Sequence, residues 1–460
     1  MKPLLLGALC GLLAGCGGGG RPTSVLFVVV DTLRADHTSL HGYARPTTPT
    51  LEALAAEGLS CERAYSQSSW TMPSMAQMMT GQVRSSNAGQ VFDWQLSLAQ
   101  TLQANDYATG AVVANPLLNA EQGYARGFDS FAIRERGTPE GRQWGNNSWP
   151  AAEVNRHALQ FLNGVGEDEA FYLWVHYFDP HDPYVPRGGQ RYEAYAEPAR
   201  EQAFRDALPP EQREELTPEV YAELEERIAL YDSEVWEADQ GLAQLLRVLE
   251  DTGRAEDTLV VFTSDHGEGL WQRAPLADEA YNKPNAYFPR LYFDHGIMLQ
   301  EEQVRVPLVM RGPGVPAGRV IDSPVSTVDL VPTVLARLGV EPYRELHGGD
   351  LCADAPLERS ELYAACSRST SLTVDGRWRL HLPRPHRLER GAQPELYDLV
   401  DDPGETRPLD DPERERALRA ALEHWMELFA NEAGTVSYSD AMQALLEAQG
   451  YTGGEADTGD

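Results

Sequence analysis

The run Val25-Leu26-Phe27-Val28-Val29-Val30-Asp31 decides the fold. Its six apolar residues are mostly β-branched and show no alternation with polar ones. A strand of this kind must bury both faces, and such strands lie inside parallel sheets covered by helices. Asp31 follows at once. A carboxylate at the C-terminal end of a parallel strand faces the crevice where α/β proteins bind ligands. It is equally able to cap the next helix, and at this point both readings stand.

Working outward, further strands are expected at residues 111–114, 171–178, 259–263 and 306–310. Between them lie helical stretches. Thr48-Pro49 opens one that runs through Leu51, Leu54 and Ala55 and is ended by Gly58, and residues 219–250 show a longer apolar periodicity. Alternating strands and helices predict an α/β fold with a large, mainly parallel central sheet flanked by helices. After about Leu346 the texture changes. Short alternating strands at 371–374, 378–382 and 395–399, with turns at Asp375-Gly376 and Asp402-Pro403-Gly404, predict a small antiparallel sheet. A helix over 412–429 completes it. The chain thus divides into a main domain over 25–345, a small α+β subdomain over 346–430 and an acidic tail over 431–460. Residues 188–219 are polar and Glu-rich and read as a surface excursion.

The 460 residues carry 38 Lys+Arg against 70 Asp+Glu, a net charge of −32. Phosphate backbones are held by dense basic patches, so nucleic acid is excluded as a partner. The N-terminus combines one early Lys with a short run rich in Leu, Ala and Gly, which reads as a secretory signal over 1–15. Leu13-Ala14-Gly15-Cys16 resembles a bacterial lipobox. That resemblance implies a lipid on Cys16, a Gly-rich tether over 16–24, and an exported protein anchored in the cell envelope. Gly17, where an Asp often signals inner-membrane retention, points to the outer membrane. The competing reading, a buried N-terminal helix, is opposed by the four glycines from Gly17 to Gly20. Cys61, Cys352 and Cys366 allow one disulfide at most, and no C-x-x-C pattern suggests zinc or redox chemistry. Lys2 and Lys283 are the only lysines. Once the signal is removed only Lys283 remains, so anion handling is expected to rest mainly on metal and histidine, with arginine as a further candidate.

Five segments carry chemistry, and all flank expected strands. Asp31 is the first. Ser264-Asp265-His266-Gly267-Glu268 follows the strand at 259–263 and offers an oxygen and a nitrogen ligand side by side. Ser69-Trp70-Thr71-Met72-Pro73 precedes a short helical pattern ending at Thr80-Gly81. Thr71 is there either a plain N-cap or a nucleophile at a helix N-terminus, where anions are favoured. His176 and His181 lie in a Pro-rich stretch after the strand at 171–175, and Asp294-His295-Gly296 precedes the strand at 306–310. These histidines can donate to anionic oxygens, or one can bind metal. His176 can equally be structural. Strand ends of a parallel sheet converge on one edge, so the five segments read together as one pocket.

Together these residues resemble the sulfatase family of the alkaline-phosphatase superfamily. The matching stretches are VLFVVVDTLRADHTSLHGY, RPTTPTLEALAAEG, WTMPSMAQMMTG, FDPHDPY, TLVVFTSDHGE, FDHGIMLQEEQVRVPLVMRGPG and ELYDLVDDPGETRPL, in family order from about residue 25 to 410. The resemblance implies one divalent metal, often calcium, with manganese, magnesium or zinc as other candidates. It makes Asp31, Asp265 and His266 metal ligands and Thr71 the nucleophile position and a further ligand. His181 and His295 would hold ester oxygens or protonate the leaving group. His176, Arg34 and Arg45 are candidates for binding the substrate anion, and a salt-bridge role suits the arginines as well. The formylglycine signal is absent, because Thr71 stands where Cys or Ser is needed and Met75 where Arg is needed. Thr32 stands where sulfatases place a second acid. The shell instead resembles the Thr-nucleophile branch, which contains phosphoethanolamine and glycerol-phosphate transferases and phosphodiesterases. The expectation is a metal-dependent hydrolase of sulfate or phosphate esters, with in-line attack by Thr71. Its substrate would be a sulfated or phosphorylated small molecule, glycan or lipid. Transfer of a phosphoryl group to envelope lipids or glycans is the alternative, and a non-catalytic protein that kept the metal pocket is the third reading.

Overall fold

The computed structural model describes residues 24–86, 89–91, 95–134, 149–187, 189, 191–195, 197–273, 288–355, 357 and 359–430. The expected signal, Cys16, Lys283 and the acidic tail lie outside the described residues. Eight strands form the central sheet, in the order Arg319–Ile321, Leu59–Cys61, Leu308–Arg311, Thr258–Ser264, Ser24–Val30, Phe171–Tyr177, Ala108–Val113, Ser130–Ile133. The last five are parallel neighbours, and Leu308–Arg311 runs antiparallel to both of its partners. The expected strand at 306–310 is split: Arg305–Val306 pairs with Ala64–Tyr65 in a separate small sheet, and Leu308–Arg311 joins the central one. Pro307 lies between them and has no N–H to give a ladder.

The valine-rich strand sits in the middle and is buried on both faces, as its composition requires. Val25, Phe27 and Val29 pack in one core layer with Met72, Met75, Ala76 and Met79 of the helix Thr71–Thr80. Leu26, Val28 and Val30 point into the other, beside the helices Ala151–Leu162 and Pro218–Asp251. Thr217 caps the latter, its side chain accepting from the Val220 N–H at 3.3 Å. The stretch read as a surface excursion contains a helix, Pro198–Ala207, which buries Phe204. Leu208 and Leu216 are buried in the same stretch, so its polar composition hid three apolar anchors among the described residues.

A separate four-stranded antiparallel sheet follows, Glu361–Ala365, Ser369–Val374, Trp378–Pro383 and Glu395–Asp398 in that order, with the helix Pro412–Ala430 packed on it through Leu418, Leu422 and Trp425. Asp375 and Gly376, at φ 54° and 62°, make the tight turn that sequence placed there. Cys61, Cys352 and Cys366 are buried free thiols. No helix among the described residues is long and apolar enough to cross a membrane.

Candidate active site

Parallel register brings the site together. Val30 is level with Ser264 and with Tyr177, so Asp31 and Asp265 emerge side by side from adjacent strand ends. His176 is level with Val29 on one side and Val113 on the other. Asn115, two residues past the end of Ala108–Val113, donates from Nδ2 to Asp31 Oδ2 at 2.8 Å. The chain then turns at Thr32, whose φ of 55° is unusual for a β-branched residue. Tyr231 from the long helix holds that turn: its hydroxyl donates to Thr32 O at 2.8 Å and accepts from the Arg34 N–H at 3.0 Å.

Thr71 is the first helical residue of Thr71–Thr80, and Trp70 is the cap. The helix therefore starts inside the stretch that sequence reading placed before it, and the Thr71 side chain is free of capping duty. Its Oγ1 lies 3.2 Å from His266 Nε2 and 3.5 Å from Asp31 Oδ1. Ser74 donates to Asp265 O at 2.5 Å, which ties the first helical turn to the strand end. His266 Nδ1 is 2.8 Å from Gly267 O, a contact that makes Nδ1 the donor and leaves Nε2 with its lone pair toward the pocket. Gly267 has no alternative, because a Cβ there would run into Glu302 O.

Asp31, Thr71, His176, Asp265 and His266 are all at most 1% exposed. Burial, and then the charge of Asp265, pushes the Asp31 carboxyl well above the usual carboxylate range, and burial likewise raises Asp265. Burial lowers His266 to about 4 and, together with His266, lowers His176 to about 3. Both imidazoles are therefore neutral lone-pair donors at neutral pH. Asp265 Oδ2 and both ring nitrogens of His176 are buried without hydrogen-bond partners. Asp31, His176 and Asp265 each offer a ligand atom within 4.8 Å of the others. Adjacent buried carboxylates facing unprotonated imidazoles fit a divalent cation and fit little else.

His295 and His181 stand next to this cluster. The His295 ring is 4.5 Å from that of His266, and the His181 ring is 4.9 Å from that of His295. His181 stacks on Phe178 at 4.4 Å and is partly exposed, at the rim. His176 lies with the carboxylates instead. The two arginines are engaged in ion pairs. Arg34 holds Asp36 with Nε and Nη2 and donates from Nη1 to Glu268 O at 3.1 Å. Arg45 pairs with Asp232, which also takes the Tyr43 hydroxyl and His37. Sequence reading passed over Asn115, Ser74, Tyr231 and Glu268. Asn115 was signalled by its place just after an expected strand, and Glu268 by its place in SDHGE. Ser74 and Tyr231 carried no signal.

Residues 23–340 match the family model described as Sulfatase. A relative described as an ulvan-active sulfatase of Formosa agariphila is 24% identical over 357 residues, covering 71% of this chain and 64% of its own length. The low-salt glycan biosynthesis sulfotransferase Agl7 of Haloferax volcanii is 26% identical over 391 residues, covering 81% and 78%. Among solved structures, BT4656 in complex with its substrate D-glucosamine-2-N,6-O-disulfate superposes with a TM-score of 0.68 at 18% identity, over 89% of this chain and 97% of that one. The chain thus spans less than two thirds of the length of the ulvan-active relative.

Proposed function

The chain belongs to the sulfatase family, and from that premise we propose that it is a metal-dependent hydrolase of sulfate or phosphate esters with Thr71 as its nucleophile. One observation carries the reading: Thr71 Oγ1 opens a ten-residue helix and lies within 3.5 Å of both His266 and Asp31. Asp31, Asp265, His176 and His266 would hold the cation. When bound, it supplies Lewis-acid stabilisation of the transferring group and lowers the pKa of the threonine hydroxyl. Two imidazoles among the donors favour zinc or manganese over calcium, which prefers an all-oxygen shell.

The residues of the chain do the rest. Asn115 fixes the Asp31 carboxylate, and Ser74 fixes the helix that presents Thr71. The helix N-terminus adds partial positive charge beside the anionic group. Thr71, its hydroxyl proton released to solvent at the lowered pKa, bonds through Oγ1 to sulfur or phosphorus as the ester oxygen departs. His295 or His181 gives that oxygen a proton. Water then cleaves the Thr71 ester, restores the hydroxyl and releases the inorganic anion. With Arg34 and Arg45 committed to Asp36 and Asp232, the histidines are the better anion contacts. Sulfated glycans are the substrate class we favour, in line with the printed descriptions of the ulvan-active relative and of the BT4656 complex.

The test is turnover of nitrophenyl sulfate, nitrophenyl phosphate and a nitrophenyl phosphodiester by metal-loaded protein and by Thr71→Ala. Turnover that survives in the variant overturns the nucleophile assignment. A sulfuryl or phosphoryl group trapped on the Thr71 peptide is the direct positive result. Transfer to a second alcohol is the alternative outcome of the same covalent step, and the description of Agl7 as a sulfotransferase keeps it in view. Adding acceptor alcohols and watching product partition separates transfer from hydrolysis. The proximity of Thr71 to its neighbours counts against a non-catalytic pocket. Export and lipid attachment at Cys16 belong to the same proposal, and membrane fractionation of Cys16→Ala tests them.

A further inference from the structure

A cavity of about 460 Å³ lies between the chain that follows Asp31 and the helices Pro198–Ala207 and Pro218–Asp251. Arg34 and Asp36 line it, and so do Leu270 and Gln272. Its walls thus continue from the two strand ends that carry Asp31 and Asp265. Three residues of chain reach at most about 11 Å, so Arg34 stands within that distance of Asp31. Arg34 Nη1 donates to Glu268 O at 3.1 Å and joins the two walls. Phe204 and Ile228, each 1% exposed, supply an apolar lining.

The charges around the cavity are already matched. Arg34 holds Asp36, and Arg200 holds Glu197 and Glu225 at 2.7 Å each. The chain as a whole carries −32, so a further anion gains little here. A guanidinium paired in this way still has N–H groups to give, and a carboxylate still has lone pairs to accept. The Asp36 side chain is 54% exposed. The lining therefore offers donors and acceptors side by side without net charge.

One buried carboxylate organises the rest. Asp232, fully buried, accepts from the Tyr43 hydroxyl at 2.7 Å and pairs with Arg45. Its Oδ1 is 2.7 Å from His37 Nδ1, so Nε2 is the edge of that imidazole left for a ligand. The His37 ring lies 4.5 Å from the Tyr43 ring, and both line the cavity. Arg45 sets its guanidinium 4.7 Å over the ring of Tyr195, which is 41% exposed and lines the cavity too. Aromatic rings, an imidazole edge and paired ions are thus held in place around one space. Small-molecule sites are built in this way, from apolar and aromatic lining with a few placed polar groups. A sugar ring has the complementary chemistry: an apolar C–H face for an aromatic ring, and a rim of hydroxyls that both donate and accept.

We propose that this cavity binds an unsulfated pyranose unit of a glycan, beside the unit whose ester faces Thr71. The choice of occupant rests on the sulfated-glycan reading of the candidate active site. Tyr195 supplies the stacking face, and His37 Nε2 and the Arg34–Asp36 pair meet the hydroxyls.

The experiment is isothermal titration calorimetry of the metal-stripped full chain with three unsulfated probes: desulfated neocarrahexaose, desulfated ulvan oligosaccharides and chitohexaose. At least one should bind, and an excess of inorganic sulfate should leave its affinity unchanged. Tyr195→Ala should weaken binding about tenfold, as loss of an aromatic face does, and Tyr195→Phe should keep it. Equal thermal unfolding midpoints show that both variants are folded. Failure of all three probes to bind overturns the proposal. So does binding that is indifferent to Tyr195→Ala, and so does displacement by sulfate, which would put the sugar in the catalytic centre. Binding without turnover of any ester would sink the hydrolase reading and leave the sugar site standing. Ester turnover with no sugar bound would do the reverse.

Discussion

At the scale of single residues, the site depends on side chains whose alternatives have been closed off. Thr71 spends no hydrogen bond on capping its own helix, so its oxygen is left to face Asp31 and His266. Thr71→Ala should lower kcat by at least about 10³-fold, as loss of a nucleophile does, while Thr71→Ser keeps measurable turnover because the oxygen is retained. Intact-mass and turnover assays on the same preparations check both. Asn115 acts one step back. Its amide donates to Asp31 Oδ2 and so aims the other carboxylate oxygen at the pocket. Partners of this kind are worth about 10–100-fold in metal affinity or activity. Asn115→Ala should therefore weaken metal retention by that factor while the fold, followed by circular dichroism, stays intact. Equal metal affinity in the variant would remove Asn115 from the site.

At the scale of elements, strand ends do the positioning and one helix braces them. Tyr231 reaches from Pro218–Asp251 to the turn after Asp31, donating to Thr32 O and accepting from the Arg34 N–H. Tyr231→Phe leaves both backbone groups unpaired in a buried place, at a cost of about 1–3 kcal/mol. Urea unfolding should show that loss as a lower midpoint with an unchanged slope. This brace also marks the boundary of what the sequence discloses. Strand-end carboxylates were legible, because a continuous apolar run followed by Asp31 or Asp265 needs only local pattern to interpret. The apolar strands and the long helix were legible for the same reason. Leu59–Cys61, Ser130–Ile133 and Arg319–Ile321 were not: they are short, lack an apolar run and are defined by their neighbours. Tyr231 lies 199 residues from Thr32, and nothing in its own surroundings announces the contact. For the arginines the sequence left anion binding and salt bridges both open, and Arg34 and Arg45 pair with Asp36 and Asp232.

At the scale of the whole molecule, the small C-terminal sheet is held to the main domain by contacts such as Ala365 N–H to Gln67 O, and by one buried carboxylate in particular. Glu405 is 1% exposed. Its Oε1 is 2.7 Å from His381 Nε2 and its Oε2 is 3.3 Å from Arg379 Nη1, both on a strand of the small sheet. The same Oε2 accepts from the Glu301 N–H at 2.6 Å, at the start of a helical turn in the main domain. Arg379 continues the bridge to Glu301 at 2.7 Å, and Arg273 donates to Glu405 O at 2.8 Å. Burial alone would raise the Glu405 carboxyl, but Arg379 and His381 outweigh it and hold it at about 2, below its ordinary 4.5. A carboxyl depressed in the folded state binds its proton more tightly when unfolded. Its contribution is therefore complete above about pH 4.5 and is lost as pH falls toward 2. Glu405→Gln removes the charge that faces His381 and Arg379, leaving Arg379 with Glu301 as its carboxylate, at a cost on the order of 3 kcal/mol near neutrality. Urea denaturation across pH should show the unaltered protein and the variant well separated at pH 7 and converging as pH drops below 4. A gap that stayed constant down to pH 2 would mean that the charge on Glu405 plays no part in holding the small sheet to the main domain.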